Sequence, residues 1–199
     1  MKHPILTRVW VLPFLLVVSA SASAPISRQD ADRLQTKITR ISENGRAKRP
    51  ASLRTPVTES EVNSYLNYAL AADLPVGVTD PYVSIDGDGR ISGRATVDLS
   101  RVKAERSSGG WLDPLAYLGG KAPVVAVGAL HTSEGMARLD LESTTISGVP
   151  VPGMLLQALV SYYSRTPENP DGIKLNESFK LPVGIKEIQV GKGEAVVVQ

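Results

Sequence analysis

Two spacings of apolar residues divide the chain. From Gln29 to Ile41, Leu34, Ile38 and Ile41 recur at helical intervals among charges, which predicts a short amphipathic helix ended by Asn44-Gly45. Arg46 to Pro56 has the composition of an exposed linker, so the folded body is expected to start near Val57. Thr58 and Glu61 then have the spacing of a capping box, flanked by Val57 and Val62 as a hydrophobic staple, and a helix from Glu59 to about Ala72 follows. Its apolar stripe is Val62, Tyr65, Leu66, Ala69 and Leu70, while Asn63 and Asn67 lie one turn apart on a neighbouring face.

Beyond that helix the period drops to two. Tyr82 to Asp86 and Arg90 to Leu99, joined by Gly87-Asp88-Gly89, read as a hairpin with Ile91, Gly93, Ala95, Val97 and Leu99 inward. Pro123 to His131 and Met136 to Ile146 form a second one, in which Ala137, Leu139 and Leu141 alternate against Arg138, Asp140 and Glu142. Such alternation implies one wet and one dry face. Gly148 to Pro152 is expected to break the sheet and open a helix to about Arg165, apolar nearly all round through Met154, Leu155, Leu156, Ala158, Leu159, Val160, Tyr162 and Tyr163. Strands around Lys180 to Val190 and Glu194 to Gln199 close the chain. Leu74-Pro75-Val76-Gly77-Val78 is echoed by Leu181-Pro182-Val183-Gly184-Ile185, which suggests two similar strand entries on one curved sheet. The fold class expected is α+β: a long bent antiparallel sheet of about six strands wrapped around one or two helices, with an N-terminal helical extension.

The order of these elements carries a resemblance. The helix start Thr58 to Leu66, Leu74 to Val78, two long hairpins, Gly148-Val-Pro-Val-Pro152 before an apolar helix, and Leu181 to Ile185 together resemble the small exported members of the tubular lipid-binding superfamily. The resemblance covers roughly residues 57–199 and lies in the order of the motifs rather than in any one of them. It implies a bent sheet around a helix with an apolar groove for acyl chains, here an open groove rather than a full tube, and it brings no catalytic motif.

Composition narrows the chemistry. Lys2 and Arg8, the apolar run Val9 to Val18 and the small residues Ser19 to Ala24 make 1–24 read as a signal peptide cut after Ala22. Its apolar run, interrupted by Pro13, is shorter than the roughly 20 residues of a membrane-crossing helix. The expected location is periplasmic or secreted. The chain holds 0 Cys and 2 His, so thiol chemistry, disulfides, a lipoprotein cysteine and a His-rich metal site are closed to it. Without Lys2 and Arg8 the 22 basic residues fall level with the 20 acidic ones, so nothing global points to nucleic acid. Residues 25–56, the basic helix and its linker, are nonetheless rich in Arg and Lys beside an acidic body, which suits a solvated tether first, and otherwise contact with an anionic lipid surface or with the body itself. Residues 57–199 are expected to form one domain.

Two segments stand out as candidate ligand-binding sites. Trp111, Leu112, Leu115, Tyr117 and Leu118 lie between Gly109-Gly110 and Gly119-Gly120, a pattern that fits either a flap over a groove or a plug at one end of the core. Met154, Leu155, Leu159, Tyr162 and Tyr163 would line a groove beneath the sheet, where small inward residues (Gly93, Ala95, Ala126, Gly128, Ala137) leave room for a close-packed helix or a lipid. Other motifs carry less. Asp86-Gly87-Asp88-Gly89 matches the start of a calcium loop, but Val97 stands where its closing Glu belongs. Ser100 and Lys103 have serine-lysine acylase spacing without the partner motifs. His131 reads as a hydrogen-bonded strand-end residue, and Asn176-Glu177-Ser178 is a glycosylation sequon. The expectation is a non-catalytic protein, without metal or cofactor, that binds or shuttles an amphipathic lipid. The alternative is a fully packed cell-envelope module that docks a protein partner.

Overall fold

The computed structural model describes residues 25–98, 100–101, 120–154, 156–157, 161, 170–171 and 174–199. Helix α1 (Arg28–Arg46) is capped by Ser27, whose hydroxyl accepts from the Asp30 amide. Its apolar positions Ala31, Leu34 and Ile41 are buried, and α1 packs along helix α2 (Glu59–Tyr68). The tether expected of residues 25–56 is therefore part of the folded body. Lys37 reaches across to Glu61 and to the Pro56 carbonyl, each at 2.7 Å, and the Gln199 amide donates to the carbonyls of Ile41 at 3.0 Å and Val183 at 2.7 Å. The expected linker also holds strand β1 (Arg54–Thr58), with Thr55 and Val57 buried and Arg54 and Pro56 exposed.

Thr58 and Glu61 make the capping box that starts α2, their backbone and side-chain groups satisfying one another. What α2 buries differs from the expected stripe. Glu61, Asn63 and Ser64 are its buried residues, whereas Val62, Tyr65, Leu66 and Leu70 are half-buried and Ala69 exposed. The reason is that α2 is wedged between a strand edge and α1: Asn63 meets the backbone of Val83, while Glu61 receives Lys37 and Ser64 accepts from the Ser27 amide.

That edge belongs to the long antiparallel sheet, built from β2 (Val78–Gly87), β3 (Arg90–Asp98), β4 (Lys121–Ser133) and β5 (Met136–Ile146) in that order. Two short strands, β6 (Val149–Pro150) and β7 (Ser178–Lys180), pair with the outer edge of β5. The predicted break at Gly148 is thus a tight reversal, with Ser147 and Gly148 at φ +51 and +79, after which the chain rejoins the sheet and Pro150 takes an edge position. The class is α+β, with a six-stranded antiparallel sheet and an N-terminal helix. Beyond Pro152, Gly153, Met154, Leu156, Gln157 and Ser161 are helical, and the rest of the predicted helix lies outside the described residues.

Strands β8 (Glu187–Val190) and β9 (Glu194–Val198) form with β1 a separate small sheet in the order β1-β9-β8. The two Leu-Pro-Val-Gly echoes therefore enter different sheets rather than one. Both make a turn closed from residue five to residue two of the motif, Val78 N to Pro75 O and Ile185 N to Pro182 O. In the second, Val183 takes φ +46, a left-handed conformation costly for a β-branched residue. The turn is held by Gln199 and by the backbone of Gly45. A Cβ on Gly45 would overlap the Val183 carbonyl, so this glycine serves close approach within the last turn of α1 rather than ending the helix.

Candidate ligand-binding face of the long sheet

Strand register places one side chain of each strand in line across the sheet, because directly opposed residues share a face. One such row is Val83, Gly93, Ala126 and Thr144; its neighbours are Ile85, Ile91, Gly128 and Leu141 on one side and Ala95, Val124 and Ile146 on the other. Every residue in these rows is uncharged. This is the dry face that the alternation predicts, yet it is incompletely covered: only Ile85, Gly128 and Thr144 of these eleven are buried, and the other eight are half-buried. The charged residues sit on the opposite face, where Arg94 stacks over the Tyr82 ring at 4.1 Å and Asp140 receives His131 at 3.3 Å and Arg138 at 2.7 Å.

The small residues beneath the sheet prove unequal. Gly128 is filled, since a Cβ there would come within 2.8 Å of the Asp140 carbonyl and 3.3 Å of Leu139 Cδ1, and Ala137 is 2% exposed. Gly93 is open: a Cβ at that position would meet no atom of the described residues within 4 Å. Midway along the apolar face the described residues therefore leave open space, next to the small side chain of Ala126.

Two strands away in the same row, Thr144 has the opposite problem. It is 6% exposed, and its Oγ1 is buried with no hydrogen-bond partner among the described residues. Simple alternation from Ala137, Leu139 and Leu141 would have put Ser143 and Thr145 inward. A bulge at Glu142, where the register passes from Val127–Ser143 to Gly128–Leu141, reverses the phase and turns Thr144 in. Sequence reasoning missed Thr144 for that reason.

Of the residues expected to bind ligand, only Met154 is described, and it is 87% exposed. Trp111, Leu112, Leu115, Tyr117, Leu118, Leu155, Leu159, Tyr162 and Tyr163 lie outside the described residues. Lys103 does too. Ser100 accepts from the Gly120 amide at 3.2 Å, and Asp98 caps the Ser100 and Arg101 amides. Asp86 forms an isolated bridge with Lys192, so the acidic turn docks the small sheet on the hairpin. His131 lies inside β4 rather than at a strand end, beside an open surface pocket of about 350 Å³ lined by Ser133, Met136, Arg138 and Ser178 among others. Among the described residues no three His, Asp or Glu side chains are grouped to hold a metal ion, and no helix is long and apolar enough to cross a membrane.

No protein-family model, curated protein or solved structure matches this chain. The site rests on its own geometry.

Proposed function

We propose that this is an exported, non-catalytic protein that binds or shuttles an amphipathic lipid or other apolar ligand on the uncharged face of the long sheet. The observation that carries the reading is the open volume at Gly93 in the middle of a half-covered apolar face. Protein interiors are close-packed, and a gap beneath a sheet lined by Val83, Ala95, Val124 and Ala126 forgoes contacts that an acyl chain would restore. Removing such a chain from water contributes about 0.8 kcal/mol per methylene before ordering costs, so micromolar binding requires no ionic anchor. The order of motifs shared with small exported tubular lipid-binding proteins, and the signal-like residues 1–24, support the same reading.

The test is uptake of an environment-sensitive apolar dye by the wild-type protein and by Gly93→Leu. A Cβ added at this position meets no atom of the described residues, so the variant is expected to fold cooperatively and to lose dye uptake. Uptake unchanged in a folded Gly93→Leu would show that the ligand does not use this face. A second reading, docking of a protein partner, is favoured by Val149 and Met154, 65% and 87% exposed on either side of the Pro150-Val151-Pro152 turn. Failure of the wild-type protein to take up any apolar probe would favour it.

A further inference from the structure

We infer that the ligand of this face is a neutral lipid bearing a hydroxyl or ester group, rather than a free fatty acid, and that Thr144 is its hydrogen-bonding anchor. The inference rests on the apolar-site reading above and adds the chemistry of the polar end. Three observations carry it. The rows around Gly93 hold no charged side chain, so an ionised carboxylate placed there would give up hydration without a cationic partner among the described residues of this face. The same row contains a polar group that is more than nine-tenths buried and has no partner among the described residues, the Thr144 hydroxyl. Such a group is costly to leave unmade, and it can both donate and accept. Finally, Thr144 and the open space at Gly93 are two strands apart in one row, about 10 Å at a strand spacing of about 4.8 Å, with Ala126 as the row residue between them. An apolar segment filling the gap can therefore reach Thr144 with its polar end, which would displace the atoms now covering Oγ1 and satisfy it.

The consequence is a residue that costs the free protein stability and gives the complex affinity. Thr144→Val keeps the shape and removes the orphaned hydroxyl, so it should leave the melting temperature unchanged or raise it while weakening binding.

The experiment is competition against a bound apolar dye by three probes of equal chain length: a long-chain alcohol, the corresponding methyl ester, and the corresponding fatty acid at a pH where it is ionised. Wild-type protein is expected to bind the alcohol and ester roughly threefold to tenfold more tightly than the acid, and Thr144→Val to bind them more weakly by a similar factor. Thr144→Ser, which retains the hydroxyl, should retain the preference. Equal binding of alcohol and acid by the wild type, or an undiminished preference in Thr144→Val, would overturn the inference while the dye binding itself leaves the apolar site standing. Absence of dye binding by the wild type would instead remove the apolar site. If Thr144→Val melts lower than the wild type, the hydroxyl serves the fold; Thr144→Ser against Thr144→Ala then decides whether it also serves the ligand.

Discussion

The two halves of this molecule solve the problem of burial in opposite ways. Where α1, α2 and the small sheet meet, Asp30, Glu61, Asn63, Ser64 and Gln199 are buried beside the apolar Ala31, Leu34, Ile41 and Val57, and each of these polar residues is hydrogen-bonded. Asn63, 0% exposed, accepts from the Val83 amide at 2.7 Å and donates to the Val83 carbonyl at 2.7 Å, substituting for the neighbouring strand that β2 lacks. Glu59, one turn earlier, accepts from the Ile85 amide at 2.9 Å and from the Tyr82 hydroxyl at 2.6 Å, and Asn67, one turn later, donates to the Pro81 carbonyl at 2.9 Å. The dry face of the long sheet has the reverse character: mostly apolar and half-covered, and among the described residues Gly93 faces open space and the Thr144 hydroxyl has no partner. Directional bonds fix the first region in one arrangement, whereas the second retains room and an unmet hydrogen bond.

The contrast can be broken most severely at Gly45. In an ordinary helix Gly→Ala stabilises by about 0.5–1 kcal/mol, but here the added methyl would overlap the Val183 carbonyl. Gly45→Ala is expected to cost about 3 kcal/mol in urea unfolding, with melting lowered accordingly. A stabilising result would mean that the contact between α1 and the Val183 turn is not rigid.

Asn63→Ala should come next. It leaves the amide and carbonyl of Val83 buried without partners, for an expected loss of about 2–3 kcal/mol and faster hydrogen exchange at the Val83 amide. Exchange at Val83 unchanged from the wild type would show that α2 does not seal the strand edge.

The smallest effect concerns Glu61, 4% exposed. Burial works against its charge, but hydrogen bonds from Lys37 and from the Thr58 backbone, together with the Lys37 charge, outweigh this and hold the carboxyl below its ordinary value. A lowered value in the folded state means that the ionised carboxylate contributes stability above the unfolded value of about 4.3, and that this contribution is lost as pH falls through the folded value. Glu61→Gln, which preserves the capping geometry, should therefore melt below the wild type at neutral pH by the equivalent of about 1 kcal/mol, with the gap closing as the solution is acidified below about pH 4. A gap independent of pH would assign the effect to packing instead.

Much of the fold is legible in residue spacing. Alternation in Arg90–Asp98 and Met136–Leu141, and glycine turns at Gly89 and Gly135, suffice for two hairpins whose registers follow. Thr58 and Glu61 mark the start of α2 because the capping box is a local interaction. What the sequence hid was non-local. Arg28 to Arg46 is charged enough to pass for a solvated arm, and only the position of α2 reveals that Ala31, Leu34 and Ile41 have a surface to cover. The spacing of Glu59, Asn63 and Asn67 was visible, but its meaning depends on β2 having no strand on that side. Thr144 was concealed by one extra residue, Glu142, since a bulge leaves no mark on composition while inverting every later side chain.

The outer edge of β2 is closed to further pairing along Pro81 to Ile85: besides the α2 side chains, the Ile85 carbonyl receives the Gly193 amide at 2.8 Å. Thr132 likewise occupies both backbone groups of Ile188 on β8, and Asn176 takes the amide of Leu141 on β5. A protein that displays so much greasy sheet would ordinarily invite templated fibril growth through its margins. With these margins already engaged by amides, hydroxyls and carboxylates, the half-covered face is bordered by backbone that is no longer free to pair edge to edge with its own kind.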